Sequence, residues 1–224
     1  MTVSTPEPKC IAFWFEFGST YSYLSAMRIE ALAQASGVRV LWKPFLLGPI
    51  FKELGWSTSP FVLQEEKGRY MWRDMARRAE KQGLAFRRPS AFPRTALLPL
   101  RVALLGTEAP WIGSFCRRVM VQNWVEDREI DTRESVLAAL EGLVDNPPAL
   151  VAMAHTDANK LGLRRQTEEA RRLGIFGAPT FFVGSEMYWG DDRLEDALEA
   201  AVSRSDAACA DGCQAVRRED GAHA

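Results

Sequence analysis

The strongest constraint on the fold comes from two short segments near opposite ends of the chain. Residues 17–24 read Phe-Gly-Ser-Thr-Tyr-Ser-Tyr-Leu, which is typical of a strand that runs into the N-terminus of a helix. Residues 176–183 read Phe-Gly-Ala-Pro-Thr-Phe-Phe-Val, which is typical of a proline-held loop that leads into a buried strand. A disulfide oxidoreductase would carry Cys-x-x-Cys at such a helix start, whereas this chain has serine at positions 19 and 22. Thiol chemistry at this junction therefore requires a thiol from a bound molecule.

The composition indicates a globular protein that acts on a small molecule. With 224 residues, 47% of them apolar, the chain is long enough to fill a sizeable core. The 28 basic and 29 acidic residues give a formal net charge of -1, so no global field attracts nucleic acid or an anionic membrane. No apolar run approaches the roughly 18 residues of a membrane helix, and residues 1–9 are too polar for a secretory signal. We therefore expect a cytoplasmic location and neither a membrane nor a nucleic-acid partner.

The four cysteines predict neither a disulfide framework nor a metal site. Cys10 and Cys116 lie in apolar patterns and are expected to be buried as small apolar residues. Cys209 and Cys213 lie in a polar, alanine-rich tail, residues 204–224, for which we predict disorder. A zinc site needs four ligands, and too few candidate ligands lie near this pair, so we predict no metal.

The first 45 residues predict a strand, a helix and a parallel strand. The run from residue 10 to 17 is apolar apart from Glu16, as in a strand that is covered on both faces. A helical period follows, with Ser19 or Thr20 as its cap, and it ends at Gly37. Residues 38–43 then alternate as a second strand. The unit has the length that a right-handed crossover between parallel strands requires.

From residue 59 to 160 the pattern changes to helices only. Helices are predicted at residues 65–82, 95–105, 111–124, 132–143 and 148–161. Beyond them come a short helix at 166–173, strands at 180–183 and 186–189 around a Gly184-Ser185 turn, and a closing helix at 192–202.

Together these elements predict an α/β, thioredoxin-like fold with an all-helical domain inserted in the middle of the chain. The predicted thioredoxin-like domain is discontinuous and comprises residues 10–58 and 162–203. The predicted helical insertion comprises residues 59–161. In such a fold the two segments described first meet, so we expect Pro179 to lie beside Ser19.

Ser19 is the first candidate for a catalytic residue. A serine nucleophile needs an adjacent base, and neither histidine of the chain lies in a nucleophile-base motif, so hydrolysis is not indicated. At a helix N-terminus, a hydroxyl and the free backbone N–H groups can instead donate to a thiolate and lower the pKa of the thiol. The alternative is that Ser19 only caps the helix. Ala178, before Pro179, is the second candidate, because an open strand edge there can pair with the backbone of a thiol-bearing peptide.

The segment from Trp189 to Glu195 offers a third set of candidates. A ligand with a carboxylate and an ammonium on one carbon, such as the γ-glutamyl end of glutathione, could use the backbone N–H groups at this helix start. Its ammonium could pair with Asp191 or Asp192. Asp192 and Glu195 also have the spacing of a capping box, so a purely structural role is the alternative.

Five motifs occur in a fixed order within residues 10–203. They are Phe-x-Ser-x-Tyr-Ser-Tyr-Leu at 17–24, Lys-Pro-Phe-Leu-Leu-Gly at 43–48, Phe-Pro-Arg at 92–94, Phe-Gly-Ala-Pro-Thr-Phe-Phe-Val at 176–183 and Tyr-Trp-Gly-x-Asp-Arg-Leu at 188–194. As an ordered set they resemble the 2-hydroxychromene-2-carboxylate isomerase family. That family groups with kappa-class glutathione transferases in the DsbA-like branch of thioredoxin folds.

This resemblance implies a role for each candidate residue. Ser19 would contact and activate the sulfur of glutathione, and the backbone of Ala178, held by Pro179, would pair with its cysteinyl part. The segment that holds the γ-glutamyl end corresponds to Trp189, Gly190, Asp191, Asp192 and Arg193. The substrate-contacting segments correspond to Lys52, Trp56, Pro93 and Arg94. The chain departs from the family pattern at Thr20, where proline is usual, and at Trp56, where relatives often have asparagine, and the second change affects the substrate more than the cofactor.

The resemblance also implies an activity, namely glutathione-dependent isomerisation in the catabolism of aromatic compounds. In that family the glutathione thiolate adds to a small aromatic carboxylate, the ring opens, a single bond rotates, and elimination returns the thiol. Two alternatives remain open. A kappa-class-like glutathione transferase or peroxidase would consume glutathione, and a non-catalytic thiol-binding DsbA-like protein would bind it without turnover. Relatives are commonly dimers, so a homodimer is expected.

Overall fold

The computed structural model describes residues 9–203, and the strands of this part form one four-stranded sheet in the order β2-β1-β3-β4. The strands are β1 (Cys10–Phe15), β2 (Arg39–Pro44), β3 (Thr180–Val183) and β4 (Glu186–Trp189). Strand β1 pairs in parallel with β2 and antiparallel with β3, which in turn pairs antiparallel with β4. The tail predicted to be disordered, with Cys209 and Cys213, lies outside the described residues.

The first helix, α1 (Thr20–Ala35), begins after the C-terminal end of β1 and connects it to β2. Ser19 is its N-cap, because this residue has an extended backbone and its side chain accepts a hydrogen bond from the Ser22 N–H. The helix is followed by Gly37 with φ of 63°, a left-handed conformation that costs glycine little. The strand-helix-strand unit predicted from the sequence is confirmed.

Between β2 and β3 the described chain contains only helices. They are α2 (Leu47–Glu53), α3 (Pro60–Leu63), α4 (Glu65–Lys81), α5 (Leu97–Leu105), α6 (Ile112–Trp124), α7 (Arg133–Leu140), α8 (Pro147–Ala154) and α9 (Asp157–Arg172). Helix α6 packs on α1, and α5 packs on α8 and α9. Among residues 9–203, no helix is long and apolar enough to cross a membrane.

The helix predicted at residues 148–161 and the short helix predicted at 166–173 are both wrong. The structure has α8 and then a single long helix, α9, which begins at Asp157. The chain breaks at Thr156, whose extended backbone and side chain, accepting from the Asn159 N–H, form an N-cap. The boundary predicted for the helical insertion therefore falls inside α9.

The C-terminal hairpin and closing helix follow the sequence pattern closely. Strands β3 and β4 have the predicted bounds, and Gly184 between them has φ of 59°. After β4 comes one 3-10 turn, Asp191–Arg193, which leads into α10 (Leu194–Ser203). The α/β plan with a helical middle, as predicted, is thus the plan of the structure.

Aromatic side chains from three strands form the centre of the core. Phe13 of β1 stacks on Phe181 of β3 and meets Trp42 of β2 edge-on, with ring centroids 5.3 and 5.2 Å apart. Phe15 also contacts Trp42, and all four side chains are at most 3% exposed. Burial on this scale fixes β1 firmly within the sheet. The end of β1, where Ser19 follows, is therefore anchored.

Candidate functional site

The hydroxyl of Ser19 lies at the junction of β1, α1 and the proline loop. It donates a hydrogen bond to the carbonyl of Ala178 over 2.8 Å and accepts one from the Ser22 N–H at 3.3 Å. Ser19 is 8% exposed, whereas Ala178 is half-buried. The predicted proximity of Ser19 and the Ala178-Pro179 loop is therefore confirmed.

The proline loop is held from both sides. The Ala178–Pro179 peptide is cis, and the Thr180 hydroxyl donates to the Gly177 carbonyl at 2.9 Å. The N–H of Gly190 donates to the Pro179 carbonyl at 3.0 Å. Gly190 has φ of 109°, which residues with a side chain rarely adopt. This contact places the start of the Trp189–Arg193 segment beside the proline loop.

Asp191 is the buried centre of a polar cluster. Its carboxylate accepts hydrogen bonds from the side chains of Ser25 and Arg28 at 2.9 Å, of Gln82 at 3.0 Å and of Arg78 at 3.4 Å. The side chain of Asp191 is 1% exposed. These four donors occupy its lone pairs, so Asp191 ties α1 and α4 to the 3-10 turn rather than presenting a free carboxylate to a ligand.

Asp192, the next residue, faces outward. Its carboxylate is about half exposed and pairs with Arg193 at 3.3 Å. Glu195, its predicted capping-box partner, pairs instead with Arg28 at 2.6 Å. The spacing of Asp192 and Glu195 does not lead to a capping box here, because a 3-10 turn, Asp191–Arg193, precedes the helix and Glu195 pairs with Arg28 of α1. Of the two adjacent aspartates, Asp192 is the one that an ammonium group can reach.

Trp189 forms one exposed wall next to the proline loop. Its side chain is 52% exposed, and its ring lies 4.8 Å from that of Phe176. A Cβ at Gly177 would come within 2.6 Å of the indole Nε1, so the loop and the indole are in close contact. Trp189 therefore packs against the loop that carries Ala178, the residue whose carbonyl accepts from Ser19.

A chain of polar contacts links this region to α4. The Tyr21 hydroxyl donates to Asp74 at 2.8 Å, and Arg78 donates to the same carboxylate oxygen at 3.0 Å before reaching Asp191. Burial and the Asp74 carboxylate raise the pKa of Tyr21. The partners of Arg78 are therefore carboxylates of the protein itself.

The Phe-Pro loop, residues 92–94, contributes its backbone rather than its charge. The Arg94 side chain is 5% exposed, and its guanidinium donates to Asp127 at 2.5 Å and to the Asn123 amide oxygen at 3.1 Å. The backbone carbonyl of Arg94 lies against Gly18, where an added Cβ would come within 2.9 Å of the carbonyl oxygen. Pro93 is exposed and follows a cis peptide. The Arg94 side chain is therefore committed to the fold, whereas Pro93 is the exposed residue of this loop.

The other two predicted substrate residues lie on α2 and the loop after it. Lys52 is exposed in the last turn of α2, and the Trp56 ring lies 5.6 Å from Phe51 of the same segment. Glu53, the last residue of α2, forms an ion pair with Arg171 of α9. The structure does not bring Lys52 or Trp56 into contact with Ser19.

Glu16 is a site residue that sequence analysis missed. Its carboxylate accepts a hydrogen bond from the Gly18 N–H at 2.9 Å, and its carbonyl accepts one from the Ser19 N–H at 3.2 Å. Burial raises the pKa of the Glu16 carboxyl to about 7, the Gly18 N–H opposes this rise, and the negative charge of Asp131 adds to it. The signal was present in the sequence, since Glu16 is the one charged residue in an otherwise apolar strand pattern.

A cavity of about 760 Å³ lies at the other end of α1. Its walls include Glu30, Val38 and Ile112. A 16-residue helix is about 24 Å long, and Ser19 caps the opposite end of it. This cavity is therefore not part of the candidate site.

Comparisons with known proteins agree with this geometry. The model of the DsbA-like thioredoxin domain matches residues 10–202. A 2-hydroxychromene-2-carboxylate isomerase from Pseudomonas putida is 28% identical over 198 residues, which cover 87% of this chain and 94% of that protein. A glutathione S-transferase kappa 2 from Caenorhabditis elegans is 24% identical, over 84% of this chain and 90% of that protein.

Solved structures show the same relationship. The structure of a 2-hydroxychromene-2-carboxylate isomerase superposes with a TM-score of 0.77 at 26% identity and covers 87% of this chain and 95% of that chain. A probable DsbA oxidoreductase from Streptomyces coelicolor superposes with a TM-score of 0.67 at 18% identity, covering 88% of this chain and 91% of that chain. The second match is evidence for the fold alone.

Proposed function

The chain belongs to the family of DsbA-like thioredoxin domains, and on that premise we propose that it is a glutathione-dependent isomerase of the 2-hydroxychromene-2-carboxylate type. The observation that carries the proposal is the position of Ser19. A hydroxyl, rather than a thiol, caps α1 and lies 2.8 Å from the carbonyl that precedes the cis-proline. Similarity to proteins named as such isomerases over most of the chain supports the same activity.

The residues beside Ser19 fit glutathione. The half-buried Ala178 offers backbone groups to the cysteinyl part, as a strand edge does for an extended peptide. The exposed carboxylate of Asp192 is placed for the γ-glutamyl ammonium, and Trp189 forms a wall beside it. Bound glutathione would supply a thiolate that adds reversibly to the conjugated double bond of a 2-hydroxychromene-2-carboxylate, so that the ring opens and a trans alkene forms.

Ser19 has to change its hydrogen bond when a thiolate arrives. A hydroxyl has one proton to donate, and Ser19 donates it to the Ala178 carbonyl. A charged acceptor makes a stronger hydrogen bond than a neutral carbonyl, so the hydroxyl turns toward a thiolate placed beside it. Together with the N-terminus of α1, this donor lowers the pKa of the bound thiol. Ser19 therefore stabilises a borrowed thiolate and does not itself act as a nucleophile.

A kappa-class-like glutathione transferase is the second candidate function. The similarity to proteins named glutathione S-transferase kappa covers about as much of the chain as the similarity to the isomerases. The two activities would use the same thiolate site, and they differ in whether glutathione is regenerated.

The decisive experiment measures glutathione dependence and glutathione consumption together. The protein is assayed against a small panel of 2-hydroxychromene-2-carboxylates and standard transferase electrophiles. We expect isomerisation that requires glutathione and consumes none. Loss of one glutathione per product would instead establish the transferase, and binding without turnover on any member of the panel would contradict both activities.

A matched pair of variants separates the site from the fold. Ser19→Ala and Thr156→Ala each remove the N-cap hydroxyl of a helix, α1 and α9 respectively. Each loss costs roughly 1 kcal/mol of stability. We expect only Ser19→Ala to lose turnover, because Thr156 lies away from the proline loop.

A further inference from the structure

The carboxyl of Glu16 lies directly behind the turn that carries Ser19. Its oxygen is 2.9 Å from the Gly18 nitrogen, and a Cβ at Gly18 would sit 3.0 Å from the same oxygen and 2.9 Å from the Arg94 carbonyl. The turn is thus enclosed between the Glu16 side chain and the Phe-Pro loop. A side chain at position 18 would press on both, so glycine permits this close contact.

A second carboxylate acts on Glu16. Burial raises the pKa of the Glu16 carboxyl to about 7, and the negative charge of Asp131, in the loop between α6 and α7, adds to that rise. Asp131 accepts a hydrogen bond from the Leu98 N–H at 2.6 Å, and the Arg94 guanidinium is paired with Asp127. Burial also raises the pKa of Asp131, and there the charge of Glu129 raises it further while that of Arg101 lowers it. Near pH 7 the Glu16 carboxyl is therefore only partly ionised.

We infer that Glu16 is a positioning residue that couples thiol ionisation at Ser19 to its own protonation. When the Glu16 carboxyl is protonated, its carbonyl oxygen still accepts the hydrogen bond from the Gly18 N–H, and the group places no negative charge near the thiolate. This inference rests on the proposed glutathione site. It assigns to Glu16 a function that a purely structural contact would lack.

The proton balance of the step is simple. The S–H bond breaks, the electron pair stays on sulfur, and the thiol proton is released. Because a thiolate is negative, it raises the pKa of Glu16 above its value of about 7, so that the ionised fraction of Glu16 takes up protons as the thiolate forms. When the thiol is reformed, Glu16 gives up those protons. The net proton release per thiolate formed is therefore less than one in the pH range in which Glu16 titrates.

Proton counting by calorimetry tests the inference. Glutathione is titrated into the wild-type protein and Glu16→Gln in buffers of different ionisation enthalpy between pH 6.5 and 8.5, and thiolate absorbance is recorded in parallel. Glutamine keeps an oxygen for the Gly18 N–H but cannot bind the proton. We expect the wild type to release fewer protons per thiolate than Glu16→Gln near pH 7.5. With S-methylglutathione, which has no thiol to ionise, this difference should vanish.

A second variant keeps the test independent of how well Glu16→Gln folds. Asp131→Asn retains an acceptor for the Leu98 N–H and removes the negative charge that raises the pKa of Glu16. The pH of greatest proton uptake should then move downward. Equal proton release in all three proteins, with thiolate present in each, would overturn the inference and leave the glutathione site standing. Failure of the wild type to bind glutathione would overturn both proposals.

Discussion

The adjacent residues Asp191 and Asp192 should respond differently to the same substitution. We expect asparagine at position 191 to lower the stability of the fold and asparagine at position 192 to weaken ligand binding. Asp191 is 1% exposed and accepts from four side chains, two of which are Arg28 and Arg78. Asp191→Asn removes the charge and directs an N–H₂ group toward guanidinium groups that carry donors only. Asp192→Asn changes a carboxylate that is 47% exposed and pairs with Arg193 on the surface.

The size of the stability loss in Asp191→Asn follows from the burial of Asp191 and from the carboxylate partners that its two arginines keep. Removing one partner of a buried ion pair costs about 3–5 kcal/mol. Here Arg28 and Arg78 are 17% and 31% exposed and keep Glu195 and Asp74 as partners, so we expect a loss of about 3 kcal/mol, at the lower end of that range. For a chain of this size that corresponds to a fall in Tm of roughly 6–12 °C. Asp192→Asn should change the unfolding free energy by less than about 0.5 kcal/mol.

Urea and thermal denaturation at pH 7 measure these losses of stability. Calorimetry measures the affinity of each variant for glutathione. We expect Asp192→Asn to weaken binding by about 1.5–3 kcal/mol, roughly ten- to hundredfold in Kd, because a charged hydrogen bond to the ligand is lost. Equal stability losses for the two variants would refute the assignment of Asp191 as the buried acceptor. Unchanged affinity in Asp192→Asn would refute the assignment of Asp192 to the ligand.

Three further predictions concern the turn before α1. Ser19→Ala should raise the pKa of the bound glutathione thiol and lower turnover by roughly a hundred- to a thousandfold, as read from thiolate absorbance and initial rates; equal pKa values in the two proteins would exclude the role given to Ser19. Because the pKa of Glu16 is about 7 in the fold against an ordinary 4.5, the contribution of Glu16 to stability falls as pH rises from 4.5 to 7. Glu16→Gln should therefore be more stable than wild type by up to about 3 kcal/mol above pH 7 but not near pH 4, and a difference that is independent of pH would contradict this. Gly18→Ala should cost about 1–3 kcal/mol, because its Cβ meets the Arg94 carbonyl at 2.9 Å, whereas Gly48→Ala, with open space around it, should cost nothing measurable in the same urea titration.

The parts of the fold that depend on local chemistry were predictable from the sequence. The apolar run of β1, the Ser19 cap and Gly37 after α1 are signals within a few residues of the elements that they bound. The hairpin around Gly184 is equally local, and its strands have the predicted bounds. The position of Ser19 beside Pro179 was also predictable, because the two segments meet in the thioredoxin-like fold that the order of elements predicts.

One failed prediction overlooked a local signal, and one local pattern was overridden by a distant residue. The boundary between α8 and α9 lies at Thr156, a threonine cap whose hydrogen bond to the Asn159 N–H spans only three residues. Glu195, which has capping-box spacing from Asp192, pairs instead with Arg28, which lies far away in sequence. Only the second competitor is invisible in a short window of residues.

By itself, the sequence determined the α/β plan, the helical middle and a helix start that lacks its own thiol, because periodicity, caps and the absence of cysteine are properties of the chain alone. Only the tertiary structure decided which of two adjacent aspartates is buried, which part of Arg94 faces the Ser19 turn, and that the Glu16 carboxyl accepts a hydrogen bond from the Gly18 N–H while the charge of Asp131 raises its pKa. The physical reason is that burial and electrostatic environment are set by neighbours in space, and α4, the Phe-Pro loop and the α6–α7 loop supply those neighbours from far along the chain.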